Sequence, residues 1–277
     1  MEFNAPIQIV NDMMITERER NWALAVKEAV ELSTRIDNIS DFGYAHHCIA
    51  AGGDLNKALD QIEGMQAFRK QYNLSEIDQE DTIQRGLKAL DDLNSICPNW
   101  LLHVDLEDGS PWLVCNQGQL NPGKVWQRDK SYASILLVQY YLGCALQPTL
   151  QAVREGTTIL TDGEKMSWEM IDMNYQQQLY FEFVLHFPHK VRKILVFNAN
   201  CAAVAFWNLV KPFLPRKVRR VVVLDRRFDA LGFRSDEIRC LTDLFCQPNR
   251  EESWIRCKQR VAQLLVMRSY NNQFFRL

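Results

Sequence analysis

Apolar positions recur first with a helical period and later in the short continuous runs of buried strands. Thr16-Glu17-Arg18-Glu19 has the form of a capping box, and Trp22, Val26, Ala29 and Val30 follow on one face, so the spacing predicts a helix through the twenties. Gly52-Gly53 breaks the chain, and Asp54 is a natural N-cap for a second helix with an apolar stripe of Leu55, Ala58, Leu59, Ile62 and Met65 running toward Phe68. A third helix is expected from Thr82 to Leu93. After Pro98 the pattern changes: Leu101 to Val104 and Trp112 to Cys115 are strand-like runs around the turn chemistry of Glu107-Asp108-Gly109-Ser110-Pro111. The apolar segment from Tyr132 to Val153 is long enough for a helix, with Gly143 and Pro148 expected to bend or interrupt it. A strand from Thr157 to Thr161 and a helix from about Met166 to Leu185, carrying Trp168, Ile171, Tyr175 and Leu179, come next. Ile194 to Phe197 and Val221 to Leu224 read as strands covered on both faces. A last amphipathic helix puts Trp254, Val261, Leu264 and Leu265 on one side. Strands alternating with helices predict an α/β layer fold over residues 98–277, preceded by an all-helical module over residues 1–97.

Composition narrows the function. The 277 residues are 47% hydrophobic, enough for one substantial core, and no stretch approaches the ~18 uninterrupted apolar residues of a membrane span. Met1 to Val10 has neither a basic start nor an apolar run, so a cytoplasmic protein is expected. The eight cysteines stand singly and read as reduced, small buried hydrophobes. A formal charge of −2 argues against a nucleic-acid partner. That average hides an asymmetry, with 17 acidic against 9 basic residues up to Cys97, but ten basic residues against Asp225 alone from Lys190 to Arg227. The basic segment is the candidate for meeting an anionic surface.

The stretch from His186 to Leu224 resembles the CRAL-TRIO lipid-binding family, to which phosphatidylinositol, tocopherol and retinaldehyde carriers belong. Phe187-Pro188, Val191-Arg192, Phe197-Asn198-Ala199 and Lys211-Pro212-Phe213-Leu214 carry the resemblance. Asp108-Gly109-Ser110-Pro111, Asp162-Gly163 and the run Gly53 to Arg69 are similar to further family positions. The resemblance implies a CRAL-TRIO-like sheet whose crossover helices enclose an apolar cavity.

Between the last two strands, Ala202 to Leu214 has only Asn208 and Lys211 as strongly polar positions. A helix apolar all round is either buried or touches something greasy. One reading is a crossover helix covered by the C-terminal tail. The resemblance favours a gate, its inner face on ligand and its outer face on a bilayer. The ligand-binding residues expected from it are Ile194, Val196, Ala199, Ala203, Phe206, Trp207, Val210, Phe213 and Leu214. Burying about ten methylenes supplies ~8 kcal/mol before ordering costs, so such a carrier needs no catalytic residue and no cofactor. Lys190 and Arg192 precede one strand, and Lys217, Arg219 and Arg220 precede its neighbour; the resemblance implies a phosphoinositide-binding cleft there.

Other motifs carry less. Gly118 to Lys124 has P-loop spacing, but Val125 replaces the Mg²⁺-binding hydroxyl and Pro122 removes a phosphate-binding amide. Adjacent His46 and His47 point apart on a helix and lack a partner at metal-ligand spacing, so no metal site is expected. Cys201 lacks the anion loop of a nucleophile. The expectation is a non-enzymatic carrier that holds one hydrophobic ligand and transfers or presents it at membranes, with reversible membrane association. The alternative is a module of the same fold that docks on phosphoinositide membranes or a protein without exporting its ligand.

Overall fold

A computed structural model describes residues 14–32, 39–74, 80–107, 109–168, 171–213, 216–224 and 250–277. Four helices open the chain: α1 (Glu17–Glu31), α2 (Asp41–Ala51), α3 (Leu55–Gln71) and α4 (Glu80–Ile96). The capping box forms at Thr16, whose side chain accepts from Glu19 N–H while Glu19 returns to the Thr16 backbone. Glu19 also takes Arg154 at 2.7 Å, and that guanidinium holds its carboxyl down at about 2. Gly52 ends α2 in the left-handed region, φ 71°, and Gly53 at φ 83° lies under the Trp22 ring, which would stand 2.3 Å from an added Cβ.

Two strands then form an antiparallel pair, β1 (Leu101–Glu107) and β2 (Ser110–Asn116). Asn121 caps α5 (Pro122–Asp129), so the P-loop-like run passes from a 3₁₀ turn at Gln117–Gln119 into a helix with Pro122 at its first turn. The long apolar segment divides as Pro148 requires, into α6 (Ala133–Leu146) and α7 (Leu150–Glu155), the latter capped by Thr149. After β3 (Thr157–Asp162) the structure departs from expectation. The helix begins only at α8 (Met173–Gln178), because the Asp172 carboxylate caps it by accepting from the N–H groups of Asn174 and Tyr175 at 3.0 and 3.1 Å. A π-helical turn, Leu179–Val184, continues it. Then come β4 (Val191–Phe197), α9 (Cys201–Val210), a 3₁₀ turn over Lys211–Phe213, α10 (Arg216–Val221), β5 (Val222–Leu224) and the long α11 (Arg250–Phe274).

The five strands form one sheet in the order β1-β2-β3-β4-β5, parallel from β2 onward. One face presents Val114, Leu160, Leu195 and Phe197. On the other, Leu113 and half-buried Ile159 pack into a core of α3, α4, α6 and α11 side chains, among them Phe68, Leu90, Leu136, Tyr140, Val261 and Leu265. That core draws on both sides of Pro98, so the N-terminal helices and the sheet share one apolar interior. A second cluster joins Val26, Phe42 and Ile62 to Leu150 and Phe275. The C-terminal helix packs on β1, α2, α4 and α6, and is pinned where Arg260 Nε donates to Asp105 at 2.8 Å.

Candidate lipid-binding site and membrane face

β4 alternates as a strand must, but its two faces differ. Leu195 and Phe197 are buried, whereas Ile194 and Val196 are only half-buried, and so are Val222, Val223 and Leu224 on β5. In register, Leu113, Ile159, Ile194 and Val222 form one cross-strand row. The row enters the shared core at β2 and β3 and leaves it at β4, so the expectation of full cover on both faces holds for only one face of this strand. At the carboxyl end, Asp162 accepts from Glu164 N–H at 2.9 Å and from Asn198 at 3.4 Å; burial raises its carboxyl above the usual range. Asn200 caps α9 by accepting from Ala203 N–H at 2.9 Å, and its amide donates to the Glu164 and Met166 carbonyls at 2.8 and 2.7 Å.

Of the expected ligand-binding residues, Ala199 and Ala203 are buried, while Ile194, Val196, Phe206 and Trp207 are half-buried. Val210 ends α9 and Phe213 lies in the following 3₁₀ turn; Leu214 lies outside the described residues. Ala202 and Ala203 form the inner side of α9 and Leu209 is 56% exposed, so this helix is neither enclosed nor amphipathic in the ordinary sense.

The parallel pairing of β4 and β5 brings the lead-in of both strands to one sheet edge, and α10 packs against β4 there. Lys190 Nζ donates to the Arg154 carbonyl, and Arg192 lies 4.0 Å from Glu155, with its side chain 57% exposed. Arg220 is exposed, Arg219 half-buried, and Lys217 sits between them and Arg216 on the backbone of α10. Two of the five candidate cations therefore already lean on the end of α7.

A second apolar surface escaped the sequence reading. Tyr175 and Phe183 are both buried, yet eight residues apart they would differ by about 80° on a continuous α-helix. The wider π turn takes up that angle and turns both rings inward, Tyr175 onto Tyr132 and Phe183 onto Phe68 and Phe187. Met173, Phe181, Val184 and Leu185 are left outward, with Phe181 61% exposed. The ends of the segment are tied down: Tyr132 donates to Asp172 at 2.6 Å and Tyr72 to Glu182 at 2.9 Å. The signal is present in the sequence as a helix apolar beyond Trp168, Ile171, Tyr175 and Leu179, with Phe181, Phe183, Val184 and Leu185 besides. Trp168 itself lies before the helix and is 58% exposed.

Together these features define an α/β domain with its sheet partly uncovered at β4 and β5, a crossover helix poor in polar residues beside it, and a basic sheet edge. Residues 98–232 match the family model of the CRAL/TRIO domain, and the chain carries a domain of that family of lipid-binding and lipid-transfer proteins. No curated protein sequence matches the chain significantly. A solved structure titled "Crystal structure of Sfh5" aligns at 12% identity with a TM-score of 0.47, over 76% of this chain and 81% of its own. No described helix is long and apolar enough to cross a membrane, and no cluster of three or more metal-ligating side chains occurs among the described residues.

Proposed function

We propose that the chain holds one lipid or similar hydrophobic molecule against the open face of β4 and β5 under α9, and transfers or presents it at anionic membranes. The observation that carries this reading is the row Leu113, Ile159, Ile194, Val222, which passes from the shared core to a half-uncovered apolar floor. An apolar floor beside a helix whose only strongly polar positions, Asn208 and Lys211, lie at its exposed far end suits a greasy ligand. Lys190, Arg192, Lys217, Arg219 and Arg220 supply the membrane contact, each well-placed cation adding roughly 1 kcal/mol at an anionic leaflet. The outward stripe of Met173, Phe181, Val184 and Leu185 supports the docking part of the reading, with or without export of the ligand.

Extraction of the purified protein with organic solvent, followed by mass spectrometry, tests the carrier reading. About one hydrophobic molecule per chain is expected, either co-purified or loaded from vesicles. Failure to release or load any lipid, with the protein folded, overturns the carrier reading. Loading without movement of a labelled lipid between donor and acceptor vesicles selects the docking module instead.

A further inference from the structure

The five-residue turn from His186 to Lys190, which leads into β4, is seated more tightly than any packing argument for a loop requires. Its hydrogen bonds converge on two buried side chains from distant parts of the chain. His46 of α2 is 1% exposed, and Gln147, at the break between α6 and α7, is 0% exposed. His46 Nε2 lies 2.7 Å from the Gln147 amide and 2.9 Å from the Pro188 carbonyl oxygen. With its nitrogen toward Pro188 O and His46, Gln147 donates to both, at 3.0 and 2.7 Å, and its oxygen accepts from Lys190 N–H at 3.2 Å. This arrangement satisfies the amide and requires an unprotonated Nε2, with the ring proton on Nδ1.

It also carries two costs. Nδ1 has no hydrogen-bond partner, and the Nε2 lone pair faces the Pro188 oxygen. A proton on Nε2 turns that approach into a hydrogen bond. It also faces the Gln147 amide nitrogen, donor against donor, so the amide rotates to offer its oxygen to His46. The oxygen then leaves Lys190 N–H, which meets the amide nitrogen instead. The two arrangements exclude each other.

The groups around this pair are cationic or neutral. From α2 itself comes buried His47; from α11, Arg268, whose guanidinium stacks over Phe42 and donates to the Gln147 carbonyl at 2.8 Å; from α3, Arg69, which acts on His47. The turn adds His189, which is hydrogen-bonded to Thr157 at 2.7 Å, and Lys190, on the Arg154 carbonyl. On α1 and α7, which also pack on α2, Lys27 is held by Asp41, Arg154 by Glu19, and Glu155 faces Arg192.

We propose that His46 and Gln147 form a proton-operated switch in which uptake of a proton at His46 Nε2 turns the Gln147 amide and releases the Lys190 backbone N–H at the start of β4. The resting state is the neutral one: burial first, then Arg268 and His47, lower the His46 pKa well below its ordinary value. The inference does not depend on the lipid reading.

Two-bond ¹H–¹⁵N spectra of the full chain, with His46→Gln for assignment, read the ring directly. At pH 7.5 Nε2 is expected unprotonated and Nδ1 protonated. On acidification, exchange of the Lys190 amide, corrected for its intrinsic rate, should rise on the order of tenfold with the midpoint of His46, while Leu142 in α6 stays protected. In His46→Gln the Lys190 amide should lose that pH dependence. Gln147→Glu offers an acceptor to both Nε2–H and Lys190 N–H, and should raise the His46 midpoint by a pH unit or more. A proton on Nε2 at pH 7.5 overturns the switch. So does a Lys190 amide that follows only its intrinsic rate, one that opens together with Leu142, or an unmoved midpoint in Gln147→Glu.

Discussion

The turn before β4 is gripped sterically as well as by hydrogen bonds, and Gly143→Ala measures that grip. A Cβ added at Gly143 would lie 2.6 Å from Cε1 and Cζ of Phe187. That is about 1 Å inside ordinary carbon–carbon contact. Phe187 has no room to retreat: it stacks on Phe183 at 4.7 Å and meets Tyr140 edge-on at 6.2 Å and His189 at 6.0 Å. Overpacking of this kind costs about 1–3 kcal/mol, whereas alanine in place of glycine inside a helix returns about 1 kcal/mol at most. The net expectation is destabilisation by about 1 kcal/mol or a little more, a fall of roughly 2–6 °C in Tm for a chain of this size. Phe187→Leu removes the two clashing ring atoms. In a double-mutant cycle followed by urea denaturation, the pair should be less destabilised than the sum of the single variants by about 1 kcal/mol or more. A Gly143→Ala protein that is more stable than wild type, or additivity of the two substitutions, would refute the close seating of Phe187 on α6.

Acid should weaken the fold earlier than its carboxylates explain. Burial, joined by Arg268 and His47 for His46 and by Arg69 and Arg268 for His47, lowers both pKa values well below 6.5, and burial takes His189 to about 4. The unfolded chain then binds protons that the folded chain refuses, so the full stability is present above about pH 6.5 and falls below it. The slope is roughly 1.4 kcal/mol per pH unit for each histidine, about 4 kcal/mol for the three together. Urea midpoints between pH 7.5 and 5.0 check this, and a flat profile would show that the rings are not held neutral. On the outer surface, Phe181→Asp with Leu185→Asp should cut sedimentation with phosphoinositide vesicles several-fold and leave Tm nearly unchanged, since both side chains are exposed. A loss of folding, or unaltered sedimentation, would count against a docking role for the stripe.

What the sequence disclosed, and what it hid, follows from the range over which each signal acts. Thr16, Asp54 and the Pro148 break act within a few residues, and all three appear where the local rules put them. The apolar runs at Val114, Leu160 and Leu195 mark strands because β-structure needs only alternation and length. The half-open floor at Ile194 and Val196 was not legible: the same run of apolar residues serves a strand covered twice or once, and cover comes from helices far along the chain. The late start of α8 was hidden by Trp168 and Ile171, which continue a helical stripe in sequence although Asp172 caps the helix after them. The π turn has no sequence period of its own, so its two-sided result, Tyr175 and Phe183 in and Phe181 out, was not legible in a segment expected to be one continuous helix. His46 and Gln147 are separated by 101 residues, and nothing local marks them as partners.

The same contrast bears on how α9 could act as a gate in the proposed carrier. β4 is fixed at both ends, by the seated turn before it and by Asp162, Asn198 and Gly163 after it, where a Cβ on Gly163 would lie 3.1 Å from Val196. The strand is therefore a poor moving part. Asn200 ties the start of α9 to the Glu164 and Met166 carbonyls and to its own first turn. At the other end the helix passes into a 3₁₀ turn containing Pro212, which donates no backbone hydrogen bond. With Asn200 as the anchor, an outward swing of α9 in the proposed carrier would pivot there and open first at its far end, from Leu209 onward. That end is also where Leu209 is already exposed beside Asn208 and Lys211, so opening would bring Leu209 and a cation together against the bilayer without unmaking the N-terminal anchor of the helix.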